Sequence, residues 1–113
     1  MKHIITYIKP HKLSEVTLAL HKIKDLTGIS VLDIKGFGRI KTKDEPHRIV
    51  EDLVDFIPHV KIEIFCKDFL VEKIVDTIKT VAHTGLRGDG KIYITPVDDA
   101  VRISTGERGE AAI

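Results

Sequence analysis

The chain has 113 residues, of which 42% are hydrophobic and 31% charged, and a formal net charge of +1. That length supports one domain with a modest core, and the balance is that of a globular chain. Near-neutral charge argues against a protein that coats nucleic acid, and four Phe, two Tyr and no Trp are too few for a base-stacking surface.

Residues 2–8 hold Ile4, Ile5 and Ile8 around Thr6 and Tyr7, a β-rich run that Pro10 stops. Leu13, Val16, Leu20 and Ile23 then recur at helical spacing, and Thr27-Gly28 is expected to close that helix, with Gly28 as its C-terminal cap. Residues 29–36 read as a strand with a mostly buried surround, Ile29, Val31 and Asp33 alternating with Ser30, Leu32 and Ile34. From 36 to about 58 the chain is polar and centred on Lys41-Thr42-Lys43-Asp44-Glu45-Pro46-His47-Arg48. Connections this long are usually functional or disordered.

Val60, Ile62 and Ile64 alternate with Lys61, Glu63 and Phe65, which marks a half-buried strand. It ends near Cys66, the one cysteine, which reads as a small core residue and excludes an intrachain disulfide. Asp68 is expected to cap a helix striped by Val71, Ile74, Val75 and Ile78, and His83-Thr84-Gly85 ends it. Ile92, Ile94 and Val97 mark a fourth strand, and the tail is polar. No stretch reads as a signal peptide or a bilayer span, so a cytoplasmic location without membrane insertion is expected. The order β-α-β, long loop, β-α-β predicts a single α+β domain over 1–113. Its expected plan is ferredoxin-like, an antiparallel sheet with both helices on one face.

The run Thr84-Gly85-Leu86-Arg87-Gly88-Asp89-Gly90-Lys91 is read as an anion-binding turn. Glycines let backbone N–H groups approach an anion, and Lys91 adds a point charge at the rim. No helix follows the Lys, so this is not the Walker loop. Gly36-Phe37-Gly38-Arg39 offers a second set of backbone donors beside a cation, and Arg102 lies just past the fourth strand. No nucleophile–base pair or spaced carboxylate pair is present, so the protein is not expected to be an enzyme, and Asp89 reads as a turn former. Six histidines, His3, His11, His21, His47, His59 and His83, match no metal-ligand spacing.

With these residues in hand, the chain resembles the PII signal-transduction proteins over nearly its full length. The resemblance is carried by Ile8-Lys9-Pro10 with Lys12-Leu13, Lys35-Gly36-Phe37-Gly38-Arg39, Val54-Asp55-Phe56-Ile57-Pro58 and Val60-Lys61-Ile62-Glu63-Ile64. It continues through Thr84-Gly85, Gly88-Asp89-Gly90-Lys91-Ile92, Arg102-Ile103, Thr105-Gly106-Glu107 and the terminal Ala111-Ala112-Ile113. It implies a homotrimer that binds ATP or ADP between subunits. The long loop, the T-loop at 37–57, would dock on an unknown target, either a membrane transporter or a metabolic enzyme. It further implies that Gly88, Asp89, Gly90 and Lys91, with Gly36, Phe37, Gly38 and Arg39, hold phosphates. Arg102 would reach in from the neighbouring subunit on the C-terminal segment 98–113. Gly28, Ser30, Glu63, Ile64 and Phe65 would surround adenine and ribose.

Several family positions differ. Ile40 stands where a Gln ligates Mg²⁺, and His59 where a Lys pairs with 2-oxoglutarate, which argues against Mg²⁺-bridged 2-oxoglutarate sensing. Asp52 replaces the tyrosine that is uridylylated in many bacteria, and Ser104 replaces a second phosphate-binding Arg. With fewer cations, ADP or AMP is expected to gain on ATP relative to a standard PII protein. The expected function is thus an adenine-nucleotide-responsive regulator. A trimeric protein of divalent-cation homeostasis and a bicarbonate-linked sensor are the alternatives.

Overall fold

The computed structural model of the chain describes residues 1–36 and 57–113. Expectations placed on Phe37, Gly38, Arg39, Ile40, His47 and Asp52 lie outside those residues.

Four strands and two helices alternate. They are β1 (Lys2–Ile8), α1 (Leu13–His21), β2 (Ser30–Gly36), β3 (Ile57–Cys66), α2 (Val71–Ala82) and β4 (Lys91–Pro96). The strands form one antiparallel sheet in the order β2-β3-β1-β4. This is the expected ferredoxin-like plan, in which each helix crosses back over the sheet between strands that are not neighbours.

Side chains alternate across the strands. Ile4, Thr6 and Ile8 of β1 and Val60, Ile62, Ile64 and Cys66 of β3 face the helices and are buried. Val16 and Leu20 of α1 and Ile74 and Ile78 of α2 close over them, so the core is a single slab between sheet and helices. Cys66 lies at the strand end as expected, and burial raises its thiol pKa. Thr6 is the one buried polar side chain among the described residues. Its hydroxyl donates to the Lys91 carbonyl at 3.1 Å, which satisfies it inside the core.

Three sequence expectations need correction. Gly28 does not cap α1, which ends at His21 with Lys22 as its C-cap. The chain leaves the helix through Asp25, whose φ of 70° is left-handed. Asp tolerates that conformation better than most residues, so no glycine was needed. Asp68 does not cap α2 through its side chain. Its carboxylate instead takes the N-terminal ammonium at 2.8 Å and Lys2 at 3.1 Å, which ties the chain start to the end of β3. Finally, β2 is not mostly buried. Val31, Leu32 and Asp33 are exposed, because β2 is an edge strand whose cover the single chain does not supply.

Among the described residues, no helix packs on the second face of the sheet. Pairing places Leu32, Ile34, Ile57, Phe65, Ile5, Tyr7 and Tyr93 on it. Among these, Leu32, Ile57, Phe65 and Tyr93 are about half exposed. An apolar face of this kind on a single chain marks a surface of association.

Candidate functional site

The turn from His83 to Lys91 is organised around one carboxylate. Asp89 Oδ2 accepts the Thr84 N–H at 2.8 Å and the Gly85 N–H at 3.3 Å, and Oδ1 accepts the Thr84 hydroxyl in a short bond. Lys9 Nζ, from the end of β1, lies 3.2 Å from Asp89 Oδ1 and donates to Thr84 Oγ1 at 3.1 Å. The Thr84 hydroxyl and backbone N–H, followed by Lys9 and Gly85, hold the Asp89 carboxyl far below the usual carboxylate range. Asp89 is therefore an internal brace of the turn.

Gly90 makes the turn's closest approach. Its φ is 111°, and a Cβ there would lie 1.6 Å from the Tyr7 carbonyl oxygen. Only glycine lets the turn lie flat against β1 and hand Lys91 to β4 in register with Tyr7. No acceptor for the N–H groups of Arg87, Gly88 and Asp89 is found among the described residues. Unpaired N–H groups beside a fixed lysine suit an anion.

That turn forms one wall of a cavity of about 440 Å³ on the open face. Tyr7, Ile34, Gly36, His59 and Tyr93 line the rest, with Gly88, Asp89, Gly90 and Lys91. Gly36 thus lines the same cavity as the 88–91 turn. At the departure position, His59 Nδ1 lies 3.1 Å from the Ile57 carbonyl. A carbonyl only accepts, so in this contact Nδ1 is the donor.

The residues expected around adenine lie elsewhere. Gly28, Ser30, Glu63 and Phe65 line a second cavity of about 280 Å³ with Thr27, Ile29 and Ile113. The two cavities have no residue in common. Phe65 stands opposite His3 and Lys91 opposite Tyr7, so the two ends are four residues of strand apart, about 14 Å before the sideways offset between strands is counted. Ile64 differs from its neighbours: its side chain is buried under the helices, so only its backbone can serve a ligand. That backbone has an open edge. β3 runs on past Ser30↔Glu63, the last rung of β2, which leaves residues 64–66 without a partner strand on that side.

The tail returns to the second cavity. Residues 100–109 form a small hairpin with Val101 bridged to Arg108 and Ser104 exposed near its tip. Arg102 donates to the Ala111 carbonyl at 3.2 Å and lies 3.5 Å from Glu107, close in sequence to the Ile113 that lines the cavity. Neither Arg102 nor Ser104 lines the cavity that holds Lys91.

Lys9 is a site residue that the sequence reading quoted but gave no role. The contact joins residues 75 apart, and no local spacing signals it. Among the described residues no three His, Cys, Asp or Glu side chains come together as a metal cluster would require. No described helix is long and apolar enough to cross a membrane.

Comparison with known proteins gives a consistent result. The family described as nitrogen regulatory protein P-II matches residues 1–107. A nitrogen regulatory protein P-II of Azospirillum brasilense is 52% identical, with both chains covered in full. Nitrogen regulatory protein P-II 1 of Escherichia coli K12 is 49% identical over the same full span. Among solved structures, an Arabidopsis thaliana PII bound to citrate matches with a TM-score of 0.80 and 38% identity, covering 99% of this chain and 91% of that one.

Proposed function

The chain belongs to the nitrogen regulatory protein P-II family, whose members are signal-transduction regulators that act as trimers on partner proteins, and from that premise we propose that it senses adenine nucleotides in clefts between subunits. The phosphates lie against Gly36, Gly88, Asp89, Gly90 and Lys91 of one subunit, with Phe37, Gly38 and Arg39 at the loop base. Adenine and ribose lie against Gly28, Ser30, Glu63, Phe65 and the open backbone edge at Ile64 of the next, with Arg102 and Ser104 reaching in from that subunit's tail. The T-loop at 37–57 carries the signal to a target protein, a transporter or a metabolic enzyme.

One observation carries this reading. Nine of the expected site residues line two cavities that share no residue and stand at different ends of one open sheet face: Gly36, Gly88, Asp89, Gly90 and Lys91 in one, and Gly28, Ser30, Glu63 and Phe65 in the other. Each is half a nucleotide site, and a second copy is the simplest way to join them. Ligand binding then moves the loop only by its differential affinity for two loop states. The role is binding and relay in a cytoplasmic protein, with ADP or AMP gaining on ATP because Ser104 supplies no charge. With Ile40 and His59 in the two departure positions, 2-oxoglutarate and Mg²⁺ are not required co-ligands.

Calorimetric titration of the assembled protein with AMP, ADP and ATP, each with and without Mg²⁺ and 2-oxoglutarate, tests the proposal. The expected outcome is one ADP per cleft and little gain from Mg²⁺ or 2-oxoglutarate. Absence of any adenine-nucleotide binding overturns the reading. ATP with Mg²⁺ bound tenfold tighter than ADP overturns its preference.

A further inference from the structure

Behind two residues of the second cavity's wall, Phe65 and Glu63, His3 has an unusual environment. Its ring stacks on Phe65, with centroids 4.4 Å apart and planes 7° from parallel. Its Nε2 lies 3.3 Å from Glu63 Oε1. That nitrogen is buried, yet it makes no hydrogen bond, because it lies within reach of the carboxylate but off the line a hydrogen bond needs. A buried polar atom left without a partner beside a charge is an exception that calls for a reason.

The neighbours define the electrostatics. On β3, Lys61 Nζ lies 3.4 Å from Glu63 Oε1, the same oxygen that faces His3. On β4, the residue opposite His3 is Thr95, which does not titrate, and Tyr93 is the nearest titratable group on that strand's open face. On β1, Tyr7 is further along the same face, while Lys2 and the N-terminal ammonium are taken up by Asp68. Glu63 is therefore the one carboxylate facing His3 among the described residues.

We propose that His3 is a positioning residue that makes the adenine end of the cleft respond to pH, through its contact with Glu63. This rests on the nucleotide reading above and deepens it. With the imidazole neutral, Glu63 Oε1 is held by Lys61 alone. Protonated, Nε2 becomes a cationic donor 3.3 Å from that oxygen, and a small turn of the ring brings it onto the line of a charge-assisted bond. Oε1 is then clamped from two sides, and Oε2 is fixed as the acceptor left for a ribose hydroxyl or an amino group. The added positive charge also favours an anionic ligand. Both effects have one sign: nucleotide affinity rises as pH falls.

The test measures ADP affinity of the assembled protein between pH 5.5 and 8 in wild type, His3→Lys and His3→Gln. ADP itself titrates in this range, so the readout is the ratio of affinities at each pH, from which the ligand's own protonation cancels. Lysine supplies a permanent cation and glutamine none. Wild type is expected to match His3→Lys at pH 5.5 and to fall to the level of His3→Gln at pH 8, a change of about threefold for a partly exposed pair. Ratios that stay constant across the range, with ADP bound throughout, overturn this inference and leave the nucleotide reading intact. No ADP binding by any of the three proteins overturns the nucleotide reading itself. Should one variant fail to assemble, the ratio of wild type to the other still decides, since either ratio is expected to fall about threefold as pH rises.

Discussion

Replacing Gly90 with alanine tests the geometry on which the anion turn depends. The backbone there has φ of 111°, and the new Cβ would stand 1.6 Å from the Tyr7 carbonyl oxygen and 2.7 Å from its carbon. Ordinary contact begins near 3.4 Å, so turn and strand must part by about 1.8 Å (3.4 less 1.6). A methyl group has no rotamer in which to escape. Strain at such a φ costs about 1–3 kcal/mol. A displacement of that size also breaks the Tyr7–Lys91 rung and the bond from the Thr6 hydroxyl to the Lys91 carbonyl, at about 1 kcal/mol each. The sum is about 4 kcal/mol, or roughly 15 °C in Tm for a domain of this size. Gly106→Ala is the control. Its φ of 76° is also positive, but nothing lies within 4 Å of the added Cβ, so only the strain of about 1 kcal/mol remains. Thermal and urea unfolding at one fixed protomer concentration compare the two. If Gly90→Ala falls within about 1 kcal/mol of Gly106→Ala, the close approach of turn to strand is not as described.

Ile74→Ala removes a fully buried side chain from the slab between sheet and helices and should cost about 2–5 kcal/mol in urea unfolding. The carboxyls of Asp68, Asp89 and Asp99 are all held below the usual range by hydrogen bonds in the folded chain. A lowered folded pKa gives stability that is present above the unfolded value and lost as pH falls through the folded one. Melting temperature should therefore drop as pH falls below about 4, and Asp89→Asn should flatten that acid limb while lowering Tm at pH 7. Lys91→Ala should weaken ADP binding about tenfold by calorimetry, as expected for the loss of one charge-assisted phosphate contact. Leu32→Asp places a charge on the open sheet face, where the residue is half exposed in the single chain. It should leave the protomer folded by circular dichroism and shift it to a smaller species in sedimentation. An unchanged mass would show that this face is not the contact.

The strands and their order were legible because burial has a period. Val60, Ile62 and Ile64 alternate with charged and aromatic neighbours because one side of β3 meets helices and the other does not. Helix ends were less legible. At the end of α1 the exit falls to Asp25 in a left-handed conformation, a position any sequence reading would pass over with Gly28 three residues on. Asp68 looks like a helix cap in a local window, but its partners are the ammonium and Lys2 at the far end of the chain. β2 misled for a different reason: its apolar residues are written for contacts that one chain does not make. The resemblance offers a set of candidate site residues, but not their division between two places. Nothing in the spacing of Glu63 and Lys91 tells that they line separate cavities, and nothing local tells that Lys9 will brace Asp89.

The division of the site sets a rule of inheritance for mixed assemblies. On the proposed reading, a subunit would contribute its 88–91 turn to one cleft and its Gly28, Glu63 and Phe65 surface to another, so every chain would be a neighbour on both sides. Lys91→Ala and a variant lacking the Glu63 carboxylate would each spoil every cleft in a uniform ring. Co-assembled, they recover function, because wherever an intact turn meets an intact adenine wall one working cleft returns. A chain carrying both defects does the reverse and silences two clefts in an otherwise normal ring. Partial loss of such a protein in a cell would then be graded by how the subunits are shuffled, and a defective copy would be dominant over a healthy one.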